Sequence, residues 1–146
     1  MQQHELGQTG LTVTPLGLGL AALGRPGYIN LGHGADMAEN YVIDAMERRT
    51  HRMLDLAYRE GVRYFDVARS YGRGETFLKN WLDEKQPDDV FVGSKWGYTY
   101  TADWQVEAEK HEVKEHSVSR LQQQWAKSKA LLPYLKLYQI HSATLK

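Results

Sequence analysis

Short apolar runs alternate with segments of helical period along nearly the whole chain, and that alternation narrows the available folds more than any other feature. After Pro15 comes "LGLGL", a run suited to a buried strand. From Asp36 to Glu60 the residues Val42, Met46, Met53, Leu54 and Ala57 recur at helical spacing, and Gly61 supplies a stop. "VRYFD" reads as a second strand, "ETFLKNWLDE" as a second helix with Phe77, Leu78, Trp81 and Leu82 on one face, and "VFVGSK" as a third strand. Val118, Leu121, Trp125 and Leu132 mark a third long helix closed by Pro133, after which "YLKLYQIH" forms a fourth strand. Strict βα alternation predicts an α/β fold with a parallel sheet and crossover helices. Ahead of it, "HELGQTGLTV" reads as a β-hairpin turned by glycines, and a glycine-rich loop from about Leu20 to Gly34 separates the first strand from the first helix.

At 146 residues, one domain over 1–146 is expected. Eighteen basic residues balance eighteen acidic ones, which offers no general attraction for nucleic acid or an anionic membrane and favours a small-molecule partner. The absence of cysteine excludes disulfides, thiol nucleophiles and thiolate metal sites. No apolar run approaches the roughly 18 residues of a membrane span, and "MQQHELGQTG" lacks a signal-peptide core, so the expected location is the cytoplasm.

Three strands end in residues that are costly to bury without a partner: Asp66, Lys95 and His141. In a parallel α/β sheet the strand C-termini share one end, so these side chains should converge, with Tyr71 reaching them from the loop after the second strand. Lys95 beside Tyr71 would favour tyrosinate, and Asp66 would keep Lys95 charged and placed. A tyrosine held this way can give a proton to a developing alkoxide. Tyr28, Trp96, Tyr98 and Tyr100 fall in expected loops after the first and third strands, where aromatic walls of a substrate pocket would lie. "GLGLAALG" is not a dinucleotide fingerprint, because it departs from the G-x-G-x-x-G spacing and no helix opens within it. In "EKHEVKEH", Glu112 and His116 stand four apart on an expected helix, but with no third ligand near, a solvated face is the better reading and no metal site is assigned.

These residues resemble the aldo-keto reductase family. "LGQTGLTVTPLGLGLAALG" is similar to its opening hairpin and first strand, "GVRYFDVARSYGRGE" to its Asp-and-Tyr motif, "VFVGSKWG" to its lysine strand and "LYQIH" to its histidine strand. Val67, where a threonine is common, and Lys136, where an aspartate is frequent, depart from the pattern without touching those four polar positions. The resemblance implies a (β/α)8 TIM-barrel type of fold and NADPH-dependent reduction of an aldehyde or ketone. It implies Tyr71 as general acid, Lys95 and Asp66 tuning it, His141 orienting the carbonyl, and cofactor contacts from Gly19, Leu20, Ala21 and Asp66.

A closed barrel of this type takes about 250 residues. Only the first four βα units are present, a half barrel with an N-terminal hairpin, and the family's nucleotide contacts from strands five to eight have no counterpart here. Two functions therefore follow from the resemblance: a carbonyl reductase, or a truncated, catalytically silent half barrel serving as a structural or interaction module. Such a half barrel would leave two open sheet edges and an apolar face, so either self-association or a loosely packed state is expected, with weak or absent NADPH binding.

Overall fold

The computed structural model describes residues 1–27 and 41–144. Glycines at positive φ turn an antiparallel hairpin of β1 (His4–Glu5) and β2 (Thr12–Val13), as the sequence predicts. The main sheet contains β3 (Gly17–Gly19), β4 (Tyr64–Asp66), β5 (Phe91–Trp96) and β8 (Leu135–Ile140), all parallel and hydrogen-bonded in that order. Helices α1 (Ile43–Arg59), α2 (Gly74–Lys85) and α3 (Val118–Leu131) make the crossovers. The α/β architecture and the strand order agree with the alternation in the sequence.

One face of the sheet is dry. Phe65 and Val92 pack there with Leu54 of α1, with Leu78, Trp81 and Leu82 of α2, and with Leu132 just beyond α3. The four apolar residues read onto one face of α2 are all buried. This helix stops where Gln86 takes a left-handed conformation, and α3 starts where Ser117 Oγ accepts the Arg120 N–H at 3.1 Å.

The opposite face is an open groove of about 480 Å³, lined by Gly17, Gly19, Tyr64, Asp66, Lys95 and Gln139 among others. This side is mixed: Gly17, Gly19, Asp66, Gly93 and Lys95 alternate onto it together with the rings of Tyr64 and Phe91, which meet edge-on at 5.1 Å, and Leu6, Val13 and Pro15 also line the groove. Period-two alternation sends Phe65 and Val92 to the helices and their neighbours to the groove.

Other expectations change as well. In α1 the buried positions are Met46, Thr50 and Leu54, whereas Val42 and Met53 are exposed; residues 36–40 of the expected helix lie outside the described residues. In α3 the inward positions are Gln124 and Ser128, while Val118 and Trp125 face outward. "EKHEVKEH" is no helix: Glu112–Lys114 forms β7, paired antiparallel with β6 (Tyr98–Tyr100), so Tyr98 and Tyr100 lie in a strand and Glu112 and His116 do not share a helix face. The alternation of Glu112, Val113 and Lys114 satisfies a two-residue period, and cross-strand pairing with β6 decides the outcome.

Candidate active site

Asp66 closes β4, and Lys95 lies one residue short of the end of β5. The register sets Asp66 beside Gly93 and Lys95 beside Gln139, which brings the carboxylate and ammonium to the same groove. Gly93 is what allows the approach: a Cβ there would lie 3.0 Å from Tyr64 Oη and 3.4 Å from Asp66 Oδ1. Lys95 ion-pairs with Asp66, donates to the Val67 carbonyl at 3.0 Å and donates to Tyr71 Oη at 3.3 Å. Both partners of the ion pair are largely shielded, with side chains 16% and 24% exposed. In such surroundings a charge–phenol contact is stronger than it would be in water.

Tyr71 stands on a turn that its neighbours fix. Its N–H donates to the Ala68 carbonyl at 3.1 Å and its carbonyl accepts the Gly74 N–H at 2.8 Å. The next residue, Gly72, has φ +55°, and a Cβ there would lie 2.5 Å from the Gly24 carbonyl oxygen. Glycine thus lets the turn pack on the loop after β3 before α2 begins.

His141 follows β8, and its N–H donates to the Trp96 carbonyl at 2.9 Å. Its ring meets that of Tyr71 edge-on at 5.6 Å and tilts against Tyr98 at 5.0 Å. Ser70 Oγ lies 3.4 Å from its Nδ1. Burial lowers the imidazole pKa, and the Lys95 charge pushes the same way against the weaker pull of Glu112 and Asp66. The ring is accordingly neutral near pH 7, with one nitrogen able to donate and the other to accept.

All four polar residues singled out in the sequence meet in space. The other candidates divide. Gly19 lines the groove beside Asp66 and Lys95. Leu20 does not offer its side chain to a cofactor: it is fully buried in the core between sheet and helices. Ala21 is half-buried in the turn after β3 and does not line the groove. Tyr98 borders the site through its contact with His141, whereas the Trp96 ring is buried and meets His116 at 5.5 Å. Tyr100 Oη accepts the Trp104 N–H at 3.2 Å, with Arg25 6.0 Å over its ring, and burial raises its phenol pKa. Tyr28 lies outside the described residues.

Sequence reasoning passed over three residues. Ser70 touches His141, Gln139 Nε2 donates to Asp66 Oδ1 at 3.5 Å, and Glu75 is buried beneath the site. The signal for Gln139 was present, since Leu137, Gln139 and His141 share one side of an alternating run. No group of three or more His, Cys, Asp or Glu side chains among the described residues could hold a metal ion. No helix among them is long and apolar enough to cross a membrane.

A parallel α/β sheet with a Lys–Asp pair, a tyrosine and a histidine gathered at its strand ends defines an enzyme-like class of site. Comparison with known proteins narrows it. The model of the aldo/keto reductase family matches residues 15–144, and the chain belongs to that family. Over 102 residues it is 38% identical to pyridoxal 4-dehydrogenase of Microbacterium luteolum, a match covering 68% of this chain and 25% of that protein. Two solved structures from Pseudomonas aeruginosa that carry the name aldo-keto reductase superpose with TM-scores of 0.70 and 0.68. Each is 27% identical, and the matches cover 96% of this chain but 47% and 46% of theirs. The chain thus spans about half the length of these solved relatives.

Proposed function

We propose that these residues form the catalytic half of a nicotinamide-dependent carbonyl oxidoreductase, with NADPH as the reductant and an aldehyde or ketone as substrate. The observation that carries the proposal is the Lys95 ammonium, held by Asp66 and 3.3 Å from the Tyr71 oxygen. In the reducing direction Tyr71 gives its proton to the carbonyl oxygen as negative charge develops on it. The nearby ammonium stabilises the charge left on the phenol oxygen. Asp66 fixes that ammonium, and neutral His141, edge-on to the Tyr71 ring, donates a hydrogen bond that orients the carbonyl. When bound, the nicotinamide supplies the hydride. By microscopic reversibility the same tyrosine accepts the hydroxyl proton of an alcohol as hydride leaves its carbon for the oxidised nicotinamide. An aldehyde, as in the name of the pyridoxal 4-dehydrogenase relative, would enter that direction only as a hydrate or hemiacetal, which carries such a hydroxyl.

The groove fits only the reacting end of such a cofactor. Gly19 leaves open space, with nothing within 4 Å of a Cβ built on it, beside Asp66 and Lys95. Among the described residues, Lys95 is the one cation lining that groove and it is committed to Asp66, which leaves no described cation there for a pyrophosphate. We therefore assign Gly19 and Asp66 to the nicotinamide end, Tyr98 to the substrate wall, and the phosphates to residues other than those described here.

A second reading, a catalytically silent half barrel acting as a structural or interaction module, is favoured by the coverage of just under half of the solved relatives. The deciding experiment is aldehyde-dependent NADPH oxidation by the purified chain, alone and with a separately produced C-terminal half of a relative. Turnover that disappears in Tyr71→Phe supports the reductase. Absence of turnover in both assemblies supports the silent module.

A further inference from the structure

We propose that Glu75 is a positioning residue for this site, joining the loop that carries Tyr71 to the strand that carries Lys95; the proposal rests on the catalytic reading above. Glu75 lies in the first turn of α2 and is 3% exposed. A buried carboxylate is unfavourable unless its oxygens are met by donors or cations, and here they are. Oε1 accepts the Ser94 hydroxyl at 2.6 Å and the Ser128 hydroxyl at 2.7 Å, while Oε2 ion-pairs with Arg69.

The positions of these partners give the network its consequence. Ser94 precedes Lys95 on β5, and because adjacent strand residues face opposite ways, holding Ser94 on the helix side sets the rotation that sends Lys95 into the groove. Arg69 lies two residues before Tyr71, and its own N–H donates to the Lys95 carbonyl at 3.0 Å. Ser128 anchors the carboxylate to α3, and its hydroxyl also lies 3.3 Å from Tyr138 Oη. One carboxylate therefore ties α2, α3, β5 and the Tyr71 loop at a point that none of the four reacting side chains touches. The 3.3 Å approach of Lys95 to Tyr71 depends on two chain segments, and Glu75 is where both are fastened.

The test reads the Tyr71–Lys95 coupling itself, without cofactor or substrate. The chain is produced with 13Cζ-labelled tyrosine, and Tyr71→Phe identifies the Tyr71 signal among the nine tyrosines. The displacement of that signal by Lys95→Met is then measured in the parent, in Glu75→Gln and in Arg69→Gln. The second background removes only the ion pair and leaves both serine bonds in place, so it decides the matter if Glu75→Gln does not fold. The expected result is a displacement in the parent that falls by more than half in either background. Equal displacement in the parent and the folded variants would reduce Glu75 to a stability role and overturn the proposal alone. No displacement in the parent would overturn the catalytic reading, and the proposal with it.

Discussion

Tyr71 is the only proton donor that the proposed mechanism assigns, which makes its hydroxyl the sharpest single-atom test. In any assembly that turns over a carbonyl, Tyr71→Phe is expected to lower kcat by about 10²- to 10⁴-fold, the usual worth of general acid catalysis. Steady-state kinetics with a saturating aldehyde checks this. Lys95→Met should act in the same direction and alter the pH profile of kcat, because it removes the cation 3.3 Å from the phenol oxygen. His141 gives a test that needs no activity. Its folded pKa is lowered by burial and by Lys95, so as pH falls the unfolded chain takes up this proton before the folded one does. The associated stability is intact above about pH 6.5 and is lost between that ordinary histidine value and the lower folded value. NMR titration of the His141 ring should give a midpoint below about 6.5, and His141→Gln should flatten that part of the stability curve.

At the scale of elements, α3 departs most from an apolar-stripe reading, and the reason is hydrogen bonding. Gln124, 5% exposed, accepts the Gly97 N–H at 2.9 Å and donates to the Tyr98 carbonyl at 2.9 Å, so one amide holds the start of the β6–β7 hairpin to the helix. Gln124→Leu leaves two backbone groups unpaired and is expected to cost about 1–3 kcal/mol in denaturant unfolding. Val118, on the same helix and 72% exposed, provides the contrast. Val118→Ser should stay within about 0.5 kcal/mol of the parent in the same experiment.

At the scale of the molecule, the outer edges of β3 and β8 have no strand partner among the described residues. Exposed edges are templates for pairing with another chain. We therefore expect the chain to self-associate through these edges. Among the described residues a second copy brings to its groove only another Lys95–Asp66 pair, so NADPH affinity should stay weaker than micromolar. Light scattering and a fluorescence titration with NADPH check the two expectations. A lasting monomer of 16.8 kDa that binds NADPH at micromolar concentration would refute both.

The α/β order and the meeting of Asp66, Tyr71, Lys95 and His141 were legible in the sequence for one reason: each is set by local pattern. A strand of alternating period carries its last polar residue to the sheet end whatever surrounds it, which was enough to group Asp66, Lys95 and His141, and the turn at Gly72 brings Tyr71 to them. Long-range partners decided the rest. Cross-strand pairing with Tyr98–Tyr100 made a strand of Glu112–Lys114, and burial on the far side of β3 withdrew Leu20 from the groove. Glu75 looks in sequence like an ordinary acidic residue in a first helical turn. Its role became visible only when residues 19 and 53 positions away supplied their hydroxyls, because hydrogen bonding in a buried site depends on what the fold brings within 3 Å.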